Sequence, residues 1–114
     1  MKIPESIELK IEEKENKETL LKVMEIILNE YEKEDIISTD LQYDILLNHL
    51  NEMIIRSKSG IKIPSVDAEM FSEVSANSID LSKRIVEQIG NLPTDEIYVL
   101  SIHFETSRQN IKED

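Results

Sequence analysis

The sequence predicts an all-α protein, a compact bundle of about five helices with a loose N-terminal arm. Apolar residues recur at spacings of three and four, as they do on one face of an α-helix. Only two glycines and three prolines interrupt the 114 residues, which favours long helices. This length corresponds to one compact domain, and we assign residues 16–114 to it.

Composition excludes several classes of protein. The absence of cysteine excludes a disulfide scaffold, a thiolate zinc site and a cysteine nucleophile. The net charge of −11 disfavours direct binding of nucleic acid, which requires clustered basic residues. No apolar run approaches the roughly 20 residues of a membrane span, and no secretory signal follows Met1. We therefore expect a cytoplasmic protein without membrane insertion.

Residues 1–15 carry a weak strand pattern, because Ile7, Leu9 and Ile11 alternate with charged residues. A single strand has no partner in an otherwise helical chain. We therefore predict a loose, disordered N-terminal arm. An arm that pairs with another subunit is the alternative.

Two long helices follow the arm. The first is predicted from about Asn16 to Glu34, and the second from Thr39 to a stop at Gly60. Thr39 and Gln42 fit a capping box, in which each side chain bonds the other residue's backbone amide. The apolar stripe of the second helix is expected to be buried, and it comprises Leu41, Ile45, Leu46, His49, Leu50, Met53 and Ile54.

Three further helices are predicted in the second half of the chain. A short helix is expected over residues 66–74, with Ser65 as its cap. The next is expected from Asn77, its cap, to Ile89, where Gly90 ends it. The last begins after Thr94, with Asp95 and Glu96 in its first turn, where the helix dipole favours negative charge.

The chain has two histidines, and both lie on apolar stripes. The simplest interpretation is that His49 and His103 are partly buried and hydrogen-bonded. A di-metal bundle would need Glu-x-x-His, but Leu46 and Leu100 occupy the Glu positions, so we expect no metal site. No phosphate-binding loop, nucleophile elbow or catalytic triad is recognisable, so we expect neither a cofactor nor an enzyme.

Phosphoryl acceptance is a third possibility for the histidines, since a neutral imidazole is a nucleophile near pH 7. Residues 53–66 contain three basic residues and no acidic one, a local charge of +3 in an acidic chain. Arg56 belongs to this cluster and lies seven residues after His49, on nearly the same helix face. The same cluster could equally complement the helix dipole and cover a solvated loop.

Two segments resemble a known family. The first is Leu46-Leu47-Asn48-His49-Leu50 with Arg56 after it, and the second is Gly90-Asn91-Leu92-Pro93-Thr94-Asp95-Glu96 followed by an apolar run to His103-Phe104. Together they resemble the phosphotransferase-system regulation domain, the PRD, over roughly residues 17–110. The second segment is the more specific one.

The resemblance implies a PRD-like helical bundle that forms homodimers. It implies phosphorylation of His103 and His49, with a phosphotransferase carrier protein or a sugar-specific transport component as donor. Arg56, Asp95 and Glu96 take the supporting positions of the family motifs. In the family, such domains control an attached RNA- or DNA-binding domain, whereas we expect this chain to be a stand-alone member.

One departure concerns the first motif, where Asn48 replaces the family's aspartate. An amide can fulfil only part of a carboxylate's role in orienting the imidazole. The leading hypothesis is therefore a domain that responds to phosphorylation of His103 first and His49 second, and modulates transcription or carbohydrate uptake. The alternative is a structural dimerisation or scaffold protein whose histidines are no longer phosphorylated. Exposed rings near Arg56 would favour the first hypothesis, and buried, hydrogen-bonded rings the second.

Overall fold

The computed structural model describes residues 3–110, which contain five α-helices and no strand. The helices are α1 (Glu5–Glu12), α2 (Lys17–Lys33), α3 (Asp40–Ser59), α4 (Ala76–Ile89) and α5 (Asp95–Arg108), with a single 3-10 turn at Ala68–Phe71. The all-α bundle predicted from the sequence is confirmed. None of these helices, within the described part of the chain, is both long and apolar enough to cross a membrane.

The N-terminal segment is helical, so the prediction of a loose arm with a strand pattern was wrong. Ile7 and Ile11 are buried in the core, whereas Leu9 is exposed. The two isoleucines are four residues apart, which places them on one face of a helix. Burial of these isoleucines holds α1 against the bundle, and Lys10 adds an exposed ion pair of 2.6 Å with Asp44 of α3.

The predicted ends of the two long helices are confirmed. Helix α3 begins with the expected capping box: Thr39 Oγ1 accepts from the amide of Gln42 at 3.1 Å, and Gln42 Oε1 accepts from the amide of Thr39 at 3.0 Å. It ends at Gly60, whose φ of +76° is the left-handed conformation that favours glycine.

The prediction of an α-helix over residues 66–74 was wrong, because only the four-residue 3-10 turn forms there. None of the residues of this turn is buried, so no packed apolar face stabilises a longer α-helix there. Asp67, rather than Ser65, caps this turn. Helix α4 is likewise capped by Ser75, whose hydroxyl accepts from the amide of Ser78, and not by the predicted Asn77.

The core lies where the five helices meet. Its largest fully buried side chains include Phe104 of α5, Met24 of α2, Leu50 of α3 and Leu81 of α4. The sequence also placed Leu41 and Ile45 in the buried stripe, but they are 66% and 48% exposed. Leu47 is buried instead, because α3 presents a slightly rotated face to α2 and α1.

Candidate functional site

The packing of α3 against α5 brings His49 and His103 together. Their ring centroids lie 4.8 Å apart, and the ring planes are inclined by 36°. The two residues are 54 positions apart in the sequence, so only the fold can create this pair. Both side chains are half-buried. Exposed rings would favour phosphoryl acceptance and buried rings a structural role, so their burial alone does not decide between the two.

His49 is the more enclosed partner at the atomic level. Its Nε2 atom is buried and has no hydrogen-bond partner within the described residues. Burial lowers the pKa of His49, the positive charge of Arg56 lowers it further, and the carboxylate of Glu96 opposes both effects. His49 is therefore neutral near pH 7.

His103 is also neutral near pH 7. Burial, followed by the neighbouring His49 ring, lowers the pKa of His103 to about 4. A neutral imidazole keeps a nitrogen lone pair available for attack on an electrophile. The pair therefore presents two uncharged nucleophilic rings side by side.

A surface depression gives access to His103. It has a volume of about 190 Å³ and is lined by Gln42, Ile45, His103 and Thr106. His49 does not line it. Ile45 was predicted to be buried, because an apolar residue on a helix stripe predicts burial rather than the wall of an open depression, and no sequence signal distinguished Thr106.

Arg56 does not reach out freely from the histidine face. Its Nε–H donates to Glu96 Oε2 and its Nη2–H donates to Glu96 Oε1, and each hydrogen bond is 2.8 Å long. The Glu96 side chain is fully buried, and the hydrogen bonds that Arg56 donates to its carboxylate raise the pKa of Arg56. The structure thus brings two predicted supporting residues together as a bidentate pair, which joins the helices that carry the histidines.

The other two predicted supporting residues, Asn48 and Asp95, form hydrogen bonds with residues other than the two histidines. Asn48 Oδ1 accepts from Lys14 Nζ at 3.2 Å, and Asp95 Oδ1 accepts from the amide of Val66 at 3.1 Å. Asn48 therefore connects α3 to the α1–α2 connector, and Asp95 anchors the segment before the 3-10 turn.

A second polar cluster was not predicted. Arg108 donates two hydrogen bonds to Glu34, of 2.8 and 2.9 Å, and a third of 2.8 Å to Ser78 Oγ. Ser78 Oγ donates in turn to Glu105 Oε2 at 2.8 Å. Burial tends to raise the pKa of Glu105, but hydrogen bonds from Ser78 and Ser75 outweigh it and lower the pKa overall. This cluster ties the end of α2 to α4 and α5, and only the basic residue near the end of α5 hinted at it.

Metal coordination finds no support in the described residues. No group of three or more His, Asp or Glu side chains there is arranged to hold a metal ion. The histidine pair alone supplies too few ligands for a closed metal site.

Comparison with known proteins identifies the family. The PRD domain profile matches residues 21–107, which include both histidines and the Arg56–Glu96 pair. The chain belongs to the PRD family. A crystal structure of a PRD-containing transcription regulator from Lactobacillus casei ATCC 334 is 40% identical in sequence and superposes with a TM-score of 0.82. The match covers 97% of this chain and 99% of that one. No curated protein sequence matched the chain.

PRD membership makes this a regulatory-type domain of the phosphotransferase system. The structural match extends over nearly the whole chain, so it includes α1 as well as the part matched by the family profile. In this PRD, His49 and His103 meet where α3 packs against α5.

Proposed function

We propose that this PRD responds to phosphorylation of His103 or, less readily, of His49, and modulates transcription or carbohydrate uptake through its contacts with a second copy or another protein. The observation that carries the proposal is the pair of rings 4.8 Å apart, with His103 at the wall of a surface depression. A phosphoryl acceptor must be nucleophilic and within reach of a donor protein, and the neutral His103 ring at the wall of an open depression supports both requirements.

The donor would be the phosphotransferase carrier protein or a sugar-specific transport component. Transfer requires the two protein surfaces to approach until the phosphoryl group meets the imidazole. The depression provides one open side, bordered by the exposed side chain of Ile45 and by Thr106.

The response would occur at the surface around His103. Leu41, Ile45 and Ile102 expose 66%, 48% and 47% of their surfaces on α3 and α5. Exposed apolar residues of this size on neighbouring helices favour a protein interface, and we propose a homodimer contact there. A phosphoryl group at His103 would place negative charge at that interface, in an acidic protein, and so weaken the contact.

The alternative is a structural dimerisation protein whose histidines no longer accept phosphate. It is favoured by two observations: Nε2 of His49 is buried, and the guanidinium of Arg56 is already bound to Glu96. Neither observation applies to His103, so both argue mainly against phosphorylation of His49.

A phosphotransfer assay tests the proposal. The purified protein is incubated with phosphoenolpyruvate, the general phosphotransferase enzyme and its carrier protein, and acid-labile phosphate is mapped by mass spectrometry. We expect label on His103 that disappears in His103→Gln and persists in His49→Gln. Absence of label from this carrier and from sugar-specific components, with both variants folded, would favour the structural alternative.

A further inference from the structure

The contact between the two imidazoles implies a division of labour that rests on the proposed function. We propose that His103 and His49 act as a pair that holds one phosphoryl group and one proton: His103 takes the phosphoryl group, and His49 becomes protonated beside it. Phosphorylation of this PRD would then be coupled to proton uptake and would stop at one phosphoryl group per chain.

The first step of the argument is the unequal access to the two rings. His103 lines the open depression between α3 and α5, whereas Nε2 of His49 is buried. A donor approaching from solvent therefore meets His103 first. In the transfer, the bond between phosphorus and the donor nitrogen breaks and its electron pair stays on the donor. A bond forms between phosphorus and a ring nitrogen of His103, and the proton released by that ring neutralises the donor nitrogen through solvent.

The second step is electrostatic. Before transfer, two charges among residues 3–110 act on His49: Arg56 on its own helix lowers its pKa, and Glu96 on α5 raises it. Neighbouring ammonium groups are occupied, since Lys14 donates to Asn48 and Lys10 pairs with Asp44. After transfer, a group carrying a charge of about −1.5 to −2 stands on the ring next to His49. Such a charge within about 4–6 Å favours the protonated imidazole, and His49 takes its proton from water.

The third step follows from the chemistry of imidazole. A protonated ring has no free lone pair and cannot attack phosphorus. A second phosphoryl group would also be repelled by the charge of the first, because the two ring centroids are only 4.8 Å apart. Both effects suppress phosphorylation of His49 once His103 is modified.

The proton half of the proposal can be tested without any phosphoryl donor. His103→Asp places a carboxylate beside His49, and His103→Asn is its uncharged control of nearly equal shape. In each variant His49 is the sole imidazole of the chain, so its NMR titration needs no assignment. We expect the pKa of His49 to be higher in His103→Asp by about one unit or more. Equal pKa values in two folded variants would overturn the coupling.

The phosphoryl half uses phosphoramidate, a small chemical donor, on the wild-type protein and on His49→Gln. We expect singly phosphorylated protein labelled at His103 to accumulate at similar rates in both, with a second label on the wild type at least about tenfold slower. Accumulation of doubly phosphorylated protein at the rate of independent sites, or first labelling at His49, would overturn the proposal. Neither experiment involves a carrier protein, so failure of the natural donor to label the chain would count only against the proposed function.

Discussion

Arg56 and Glu96 form two parallel hydrogen bonds of 2.8 Å across the contact between α3 and α5. Glu96 is fully buried and Arg56 is 16% exposed on its side chain, so water screens this pair weakly. Glu96 lies in the first turn of α5, two turns before His103, and Arg56 follows His49 by two turns. The pair therefore fixes the two helices that bring the histidines within 4.8 Å of each other.

Removing the charge of Glu96 is expected to destabilise the fold strongly. Glu96→Gln keeps the shape of the side chain but leaves the Arg56 guanidinium in a buried position without its counter-charge. We expect the free energy of unfolding to fall by about 3 kcal/mol, as for other broken buried pairs. Urea unfolding followed by circular dichroism measures this loss.

A matched control exists on the surface. Arg84 contacts Glu30 at 3.0 Å, but its side chain is 43% exposed. Arg84→Gln should cost less than about 1 kcal/mol, because solvent screens an exposed pair. A loss at Glu96 no larger than the loss at Arg84 would show that the buried pair does not hold the two helices together.

Helix α1 is expected to contribute to the stability of the bundle. Ile11→Ala removes a side chain with 0% exposure and should lower the free energy of unfolding by about 2–4 kcal/mol. Leu9→Ala, in the same helix but 61% exposed, should change it by less than about 0.5 kcal/mol. Equal effects of the two substitutions in urea unfolding would mean that α1 does not pack on the core.

Stability is expected to fall as the pH drops from 7 to 5, and His103 should carry much of the fall. Burial and the His49 ring lower the pKa of His103 to about 4, against an ordinary value near 6.5. Between these values the unfolded chain binds a proton that the folded chain does not. The stabilisation from a neutral His103 is therefore complete above pH 6.5 and is lost as the pH falls towards 4.

The corresponding measurement is urea unfolding at pH 7 and pH 5 for the wild type and His103→Gln. Removing the titrating ring should reduce the loss of stability between the two pH values by about 2 kcal/mol. The lowered pKa of His49 has the same sign and leaves a smaller residual loss in the variant. An identical pH dependence in both proteins would contradict the shifted pKa of His103.

The sequence predicted most of the fold because helix periodicity and end signals are local. The Thr39–Gln42 capping box and the glycine stops at Gly60 and Gly90 formed as expected. The N-terminal segment was misjudged because Ile7, Leu9 and Ile11 alternate as in a strand, while Ile7 and Ile11 also satisfy an i, i+4 helix face. Burial against α2 and α3, a tertiary effect, decided for the helix.

The site was predictable by residue but not by contact. The family resemblance indicated His49, His103, Arg56 and Glu96, yet nothing local revealed that Arg56 would bind Glu96 or that the rings would meet. These contacts depend on how α3 crosses α5, which periodicity does not specify. The exposure of Ile45 beside His103 was missed for the same reason.

The apolar surface around His103 is expected to mediate self-association. Ile45→Glu introduces a charge at a residue that is 48% exposed and borders the depression, so it should weaken a dimer by at least about tenfold in dissociation constant. Leu9→Glu provides the control, since Leu9 is also exposed and apolar but lies on α1. Sedimentation equilibrium should show weaker association in the Ile45 variant alone, and equal behaviour of the two variants would place the interface elsewhere.

The central claim, that charge at His103 controls assembly, is tested most directly by comparing the dimer dissociation constants of His103→Asp and His103→Asn in sedimentation equilibrium. The two side chains have nearly the same shape, so a difference between them reports charge. The account predicts a dissociation constant at least about tenfold higher for His103→Asp, a change of about 1.4 kcal/mol. Equal dissociation constants for two folded variants, together with an unchanged value after phosphorylation of the wild type, would contradict it.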